Sequence, residues 1–71
     1  MMIDDDKLEE QVRQKLRAAP GLSGATITVK VSAGQVTLGG EVEHPSMKAL
    51  AEQVVKQIKG VTKVINEITV S

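Results

Sequence analysis

Aliphatic and polar residues alternate with a period of two through most of residues 25–42. Ile27, Val29 and Val31 alternate with Thr26, Thr28 and Lys30, and beyond Ser32-Ala33-Gly34-Gln35 the residues Val36, Leu38 and Val42 alternate with Thr37, Gly39 and Glu41. Two such runs on either side of a glycine-bearing turn predict a β-hairpin with one buried face. Paired residues lie on the same face of a sheet. A turn at residues 32–35 pairs Val31 with Val36, Val29 with Leu38 and Ile27 with Gly40, all inward, and Thr28 with Gly39 outward. Gly34 supplies the positive φ of the turn. A slip of one residue would send one strand's apolar set into water, so this pattern specifies its own register.

The flanking segments change period. In residues 4–19, Leu8, Val12, Leu16 and Ala19 form a narrow stripe with helical spacing. Acids gather at its start and bases toward its end, which suits the helix dipole. Asp5 or Asp6 is the expected cap, Asp6 with Glu9 having capping-box spacing, and Ile3 is placed to act as a staple. Pro20-Gly21 stops the helix. Residues 45–59 predict a second helix: Pro45 suits the first position after His44 or before a Ser46 cap, and Gly60 follows its end. Met47, Leu50, Ala51, Val54 and Ile58 share one face with Val55 at the margin. In residues 64–70, Val64, Asn66, Ile68 and Val70 face one way and Ile65, Glu67 and Thr69 the other, predicting a third strand.

The order is therefore αββαβ. A helix of about fifteen residues spans roughly 22 Å, close to one strand length, and can return the chain so that the third strand runs with the second. The expected fold class is α+β, a two-layer sandwich with two helices on one face of a three-stranded mixed sheet. The strand order is 1-2-3 through a right-handed crossover, with 2-1-3 as the alternative. Both helices must cover one side because the sheet has one apolar face.

At 71 residues the chain reads as one domain, residues 1–71, with 1–3 expected to be flexible. It contains no Phe, Tyr, Trp or Cys, so the core is aliphatic and neither disulfides nor thiolate metal sites are available. Nine basic and nine acidic residues give a formal net charge of zero, against the basic surplus of a general nucleic-acid binder. No apolar run approaches the ~20 residues that span a bilayer. The N-terminus lacks a basic region followed by an apolar run, which leaves a cytoplasmic protein or a mature or excised domain.

Taken together, these residues resemble a known family. Val12 and Leu16, Ile27-x-Val29, Gly34-x-Val36-x-Leu38-x-Gly40-x-Val42, Pro45, Ala51 and Gly60-Val61-x-x-Val64-x-Asn66-x-Ile68-x-Val70 resemble the BON domain, the module named after bacterial OsmY and nodulation proteins. Ala33-Gly34 stands where the family often has Asp-Gly, and His44 where Ser or Asp is common. The chain carries one copy, where many members carry more, and lacks the LysM module of the potassium-binding members. The resemblance implies a non-catalytic binding module linked to osmotic stress, contacting anionic phospholipid head groups or envelope proteins, in the periplasm or cell envelope. Potassium sensing and plain oligomerisation are its rivals.

Few residues suggest chemistry. His44 has only Glu41 and Glu43 as sequence neighbours and reads as an exposed cap residue. Gly39-Gly40 lacks the spacing of a phosphate loop and reads as a packing contact, with a helix expected to lie against bare backbone at Gly40. Asn66 on an apolar face reads as a structural amide, and Asp4-Asp5-Asp6 as capping rather than cation binding. No catalytic residue, metal site or cofactor is expected. Lys7, Arg13 and Arg17 on the first helix and Lys48, Lys56 and Lys59 on the second are candidates for lipid head groups, each worth ~1 kcal/mol near an anionic membrane. Thr28, Lys30, Thr37, Gly39 and Ile65, on the uncovered sheet face, are candidates for partner docking.

Overall fold

The alternation of residues 26–42 becomes the central hairpin of a computed structural model that describes residues 4–22 and 25–71. Strand β1 (Thr26–Ser32) pairs antiparallel with β2 (Gln35–Val42). Val31 lies opposite Val36, Val29 opposite Leu38, Ile27 opposite Gly40 and Thr28 opposite Gly39, the register read from the alternation. Ala33 at φ 51° and Gly34 at φ 83° form the two-residue turn. Positive φ at both positions gives the hairpin turn whose twist matches its strands.

Helix α1 (Asp5–Ala18) precedes the hairpin, and α2 (Pro45–Lys56) follows it. Strands β3 (Lys63–Asn66) and β4 (Thr69–Val70) then run parallel to β2, giving the order β1-β2-β3 with β4 also beside β2. The fold is α+β, two helices on a mixed sheet. Leu8, Val12 and Leu16 of α1 and Ala51 and Val55 of α2 share one core with Val29, Val36, Leu38, Val42 and Ile68. The sheet residues in that set lie on one face, so both helices cover the same side.

Several local expectations are corrected. Asp4, not Asp5 or Asp6, caps α1: its carboxylate accepts the Asp6 amide at 3.0 Å. Asp5 instead accepts the Ala33 amide at 3.2 Å, tying the helix start to the hairpin tip. The proposed staple at Ile3 and the flexibility of residues 1–3 fall outside the described residues. His44 holds the N-cap position of α2 without a side-chain cap bond. That helix ends at Lys56, three residues early; the amides of Ile58 and Val61 then close two turns onto the carbonyls of Val55 and Ile58. Val55 is fully buried rather than marginal, while Met47, Leu50, Val54 and Ile58 are half-buried. Leu22, in a one-turn 3₁₀ helix (Pro20–Leu22), is a core residue that periodicity did not reveal.

The expected third strand is divided. Between β3 and β4 the Asn66 carboxamide accepts the Ile68 amide at 3.2 Å and donates to the Lys48 carbonyl of α2 at 2.9 Å. One side chain thus interrupts the strand and fastens it to the helix above, as the structural reading of an amide on this face requires. Gly40 corrects the expected helix contact. At φ 108°, a Cβ there would fall inside the backbone of Thr26 and Ile27, so the neighbour that needs the bare glycine is β1.

Candidate binding groove

The six basic residues proposed for lipid contact do not form one patch. Arg13 and Arg17 project from α1 over the β1 side of the sheet. There they line a cavity of about 370 Å³ with Leu16, Leu22, Ala25, Ile27 and Val29. Lys59 lies at the seam between the helices with Lys15, Ala18 and Ile58; Lys15 was not among the sequence candidates. Lys48 and Lys56 sit on the β3 side of α2, near Asn66 and Glu52. Lys7 is exposed on α1 and lines none of these recesses.

Local pairing divides them further. Arg13 is held by Glu9 at 2.8 Å and Lys56 by Glu52 at 2.9 Å, each one helical turn apart. Such exposed pairs are screened by solvent and add little stability, but they reduce the charge offered to a partner. The Lys56 ammonium, hydrogen-bonded to Glu52 and helped by the Asn66 amide, holds the Glu52 carboxyl below its ordinary range. Arg17 makes no ion pair among the described residues. The groove therefore has aliphatic side chains in its floor, Ala25 and Ile27 half-buried and Leu16, Leu22 and Val29 buried, and one uncommitted guanidinium on its rim.

The docking-face candidates do come together. Thr28 lies beside Gly39, Lys30 beside Thr37 and Thr37 beside Ile65, a continuous patch across three strands. Among the described residues no element covers it. Ile65 and Thr37 are half-buried and Thr28 and Lys30 exposed, so the patch is polar with one aliphatic centre. His44 is exposed at the start of α2, and no group of three His, Cys, Asp or Glu side chains suited to a metal occurs among the described residues. No helix described is long and apolar enough to cross a membrane.

The groove and the strands that frame it belong to a two-layer α+β module with helices on one side of a mixed sheet. Residues 4–71 match the family model of the BON domain, and the chain belongs to the BON domain family. An uncharacterized protein in the gshII 5′ region of Anaplasma centrale is 46% identical over 46 residues, covering 65% of this chain and 30% of that protein. The C-terminal domain of CdsD, a structural protein of the type III secretion system of Chlamydia trachomatis, matches with a TM-score of 0.79 at 15% identity. That match covers 100% of this chain and 35% of the other, and at such identity it is a likeness of fold. The matched residues make up about a third of each of those proteins.

Proposed function

We propose that this chain is a non-catalytic binding module of the cell envelope that meets an anionic partner along the groove between α1 and β1. The partner classes that its family suggests, phospholipid head groups and envelope proteins, both offer an anion, and a role under osmotic stress fits either. The observation that carries the reading is the placement of Arg13 and Arg17 above Leu16, Leu22, Ile27 and Val29. Scattered surface cations bind weakly and lose their hold as salt rises. A guanidinium beside an apolar recess adds desolvated contact to charge, and guanidinium matches carboxylate and phosphate oxygens in a bidentate fork.

Site-specific photo-crosslinking in the native host tests the surface without presuming the partner. A photoreactive residue at position 25, which leaves Arg13 and Arg17 in place, should form adducts, and one at position 63, on the far side of the sheet, should not. Equal labelling at both positions, or none at 25, would remove the groove as the contact surface.

A further inference from the structure

The two edges of the sheet are built differently. On one side the parallel partner of β2 is broken into segments of four and two residues, β3 and β4. Within the gap the Asn66 side chain occupies the Ile68 amide. Short, interrupted strands with internally satisfied amides are how proteins blunt an edge. On the other side β1 runs seven residues without a break, contains no proline, and has no second neighbour in the sheet among the described residues. Its one charge, Lys30, lies on the outer face.

The direction of the unpaired backbone groups follows from the register. A two-residue loop is closed by a hydrogen-bonded pair, here Ser32 with Gln35, and bonded and non-bonded pairs alternate from there. The Leu38 carbonyl accepts the Glu67 amide at 2.8 Å on the side away from β1. Leu38 and its partner Val29 are therefore a non-bonded pair. The amides and carbonyls of Ile27, Val29 and Val31 accordingly point out from the edge, while their side chains point inward. These are the residues beside the groove: Ile27 and Val29 line it, under Arg13 and Arg17.

Resting on the proposed groove, we infer that its occupant is an extended segment of another protein, added as a strand to β1, with alternate aliphatic side chains in the recess and a carboxylate on Arg17. The alternatives fit less well. A bilayer surface is flat and offers no row of donors and acceptors at strand spacing. A second copy paired through β1 would set two α1 helices side by side across a two-fold axis, bringing Arg13 and Arg17 of each toward the same residues of the other. An acidic strand reverses that repulsion. Strand addition draws affinity from main-chain bonds and specificity from pockets for alternate side chains, and the groove supplies both.

The test pans a phage-displayed library of random dodecapeptides against the intact chain. Enriched peptides should carry aliphatic residues at alternate positions with an acidic residue among them. Each is then synthesised in two forms, one N-methylated at alternate residues so that its edge donors are lost while the protein stays unchanged. N-methylation on the pairing side, or Arg17→Glu in the protein, should weaken binding by about tenfold or more, as lost backbone bonds and reversed charge pairs do. Arg17 is exposed, and a thermal melt confirms that the variant folds. Peptides indifferent to N-methylation overturn strand addition. An absence of enriched peptides, while vesicles of phosphatidylcholine and phosphatidylglycerol shift the amide resonances of Ile27 and Val29, overturns the protein occupant and leaves the groove reading standing. Silence from both probes overturns both.

Discussion

The antiparallel half of the sheet and the parallel half solve the register problem by different means. Between β1 and β2 the register is set by a two-residue turn, and seven consecutive pairs follow from it. Between β2 and its parallel neighbours no turn is available, because α2 intervenes. There the ladder comes in two short runs, four pairs to β3 and two to β4, and further backbone bonds tie their ends and the gap between them to β2. Thr62 donates to the Gly34 carbonyl at 2.9 Å, Glu67 to Leu38 at 2.8 Å and Ser71 to Val42 at 2.9 Å. Asn66 fastens the middle to α2. A local turn propagates its geometry along both strands. A crossover must be pinned at intervals, here by backbone bonds at the strand ends and by one side chain, Asn66, in the gap.

That contrast predicts where damage spreads. A change at a hairpin pair disturbs the whole ladder, whereas a lost pin loosens one strand. Gly40→Val attacks the ladder. The new side chain meets the Thr26 carbonyl, which belongs to the backbone and cannot rotate away, and φ 108° is closed to a β-branched residue. Overpacking and backbone strain each cost about 1–3 kcal/mol. For a domain of this size, whose whole stability is on the order of 4–10 kcal/mol, the melting temperature should fall by about 15 °C or more, with loss of a cooperative transition as the extreme. A melt within ~3 °C of the unchanged chain, followed by circular dichroism, would mean that Ile27 and Gly40 are not neighbours.

Asn66→Ala removes a pin instead. The Ile68 amide and the Lys48 carbonyl lose a side-chain partner, Ile68 being 2% exposed. Leaving a buried donor unsatisfied costs about 1–3 kcal/mol. Hydrogen exchange separates this from a global loss: the amides of residues 67–70 should lose protection well before those of β1 and β2. Uniform acceleration across the sheet would show that the two halves are one cooperative unit and would end the comparison.

The same division explains what was legible in the sequence. The hairpin register could be read because period and turn chemistry lie within eighteen residues and constrain each other. The helices could be read as stripes, but their ends could not. Three adjacent acids made the cap of α1 ambiguous, and the turns after Lys56 continue an apolar pattern beyond the helix. Val55 is marginal by spacing alone because the burial of a helical position depends on which sheet residues it meets. The break between β3 and β4 was invisible, since Asn66 signals an unusual place without saying that Ile68 is its partner. The groove was hidden for a like reason. Arg13 and Arg17 were visible as a pair on one helix, but Leu22, Ile27 and Val29 reach them only through the fold. No period links those residues.

The smallest expected effect sharpens the hairpin side. Ala33 sits at φ 51°, in the left-handed region that costs an alanine about 1–2 kcal/mol and that asparagine enters more readily. Ala33→Asn gives the Asn-Gly pair that this turn type favours. The amide that donates to Asp5 is untouched, because it belongs to the backbone. The gain should be about 0.5–1 kcal/mol, raising the melting temperature by roughly 3–8 °C. If the turn sets the register, most of that gain should appear as faster refolding in stopped-flow measurements, because the loop closes before the crossover strand arrives. A gain found only in the unfolding rate would place loop closure after the commitment to fold, and the register would then be chosen by the core under α1 and α2 rather than by the turn.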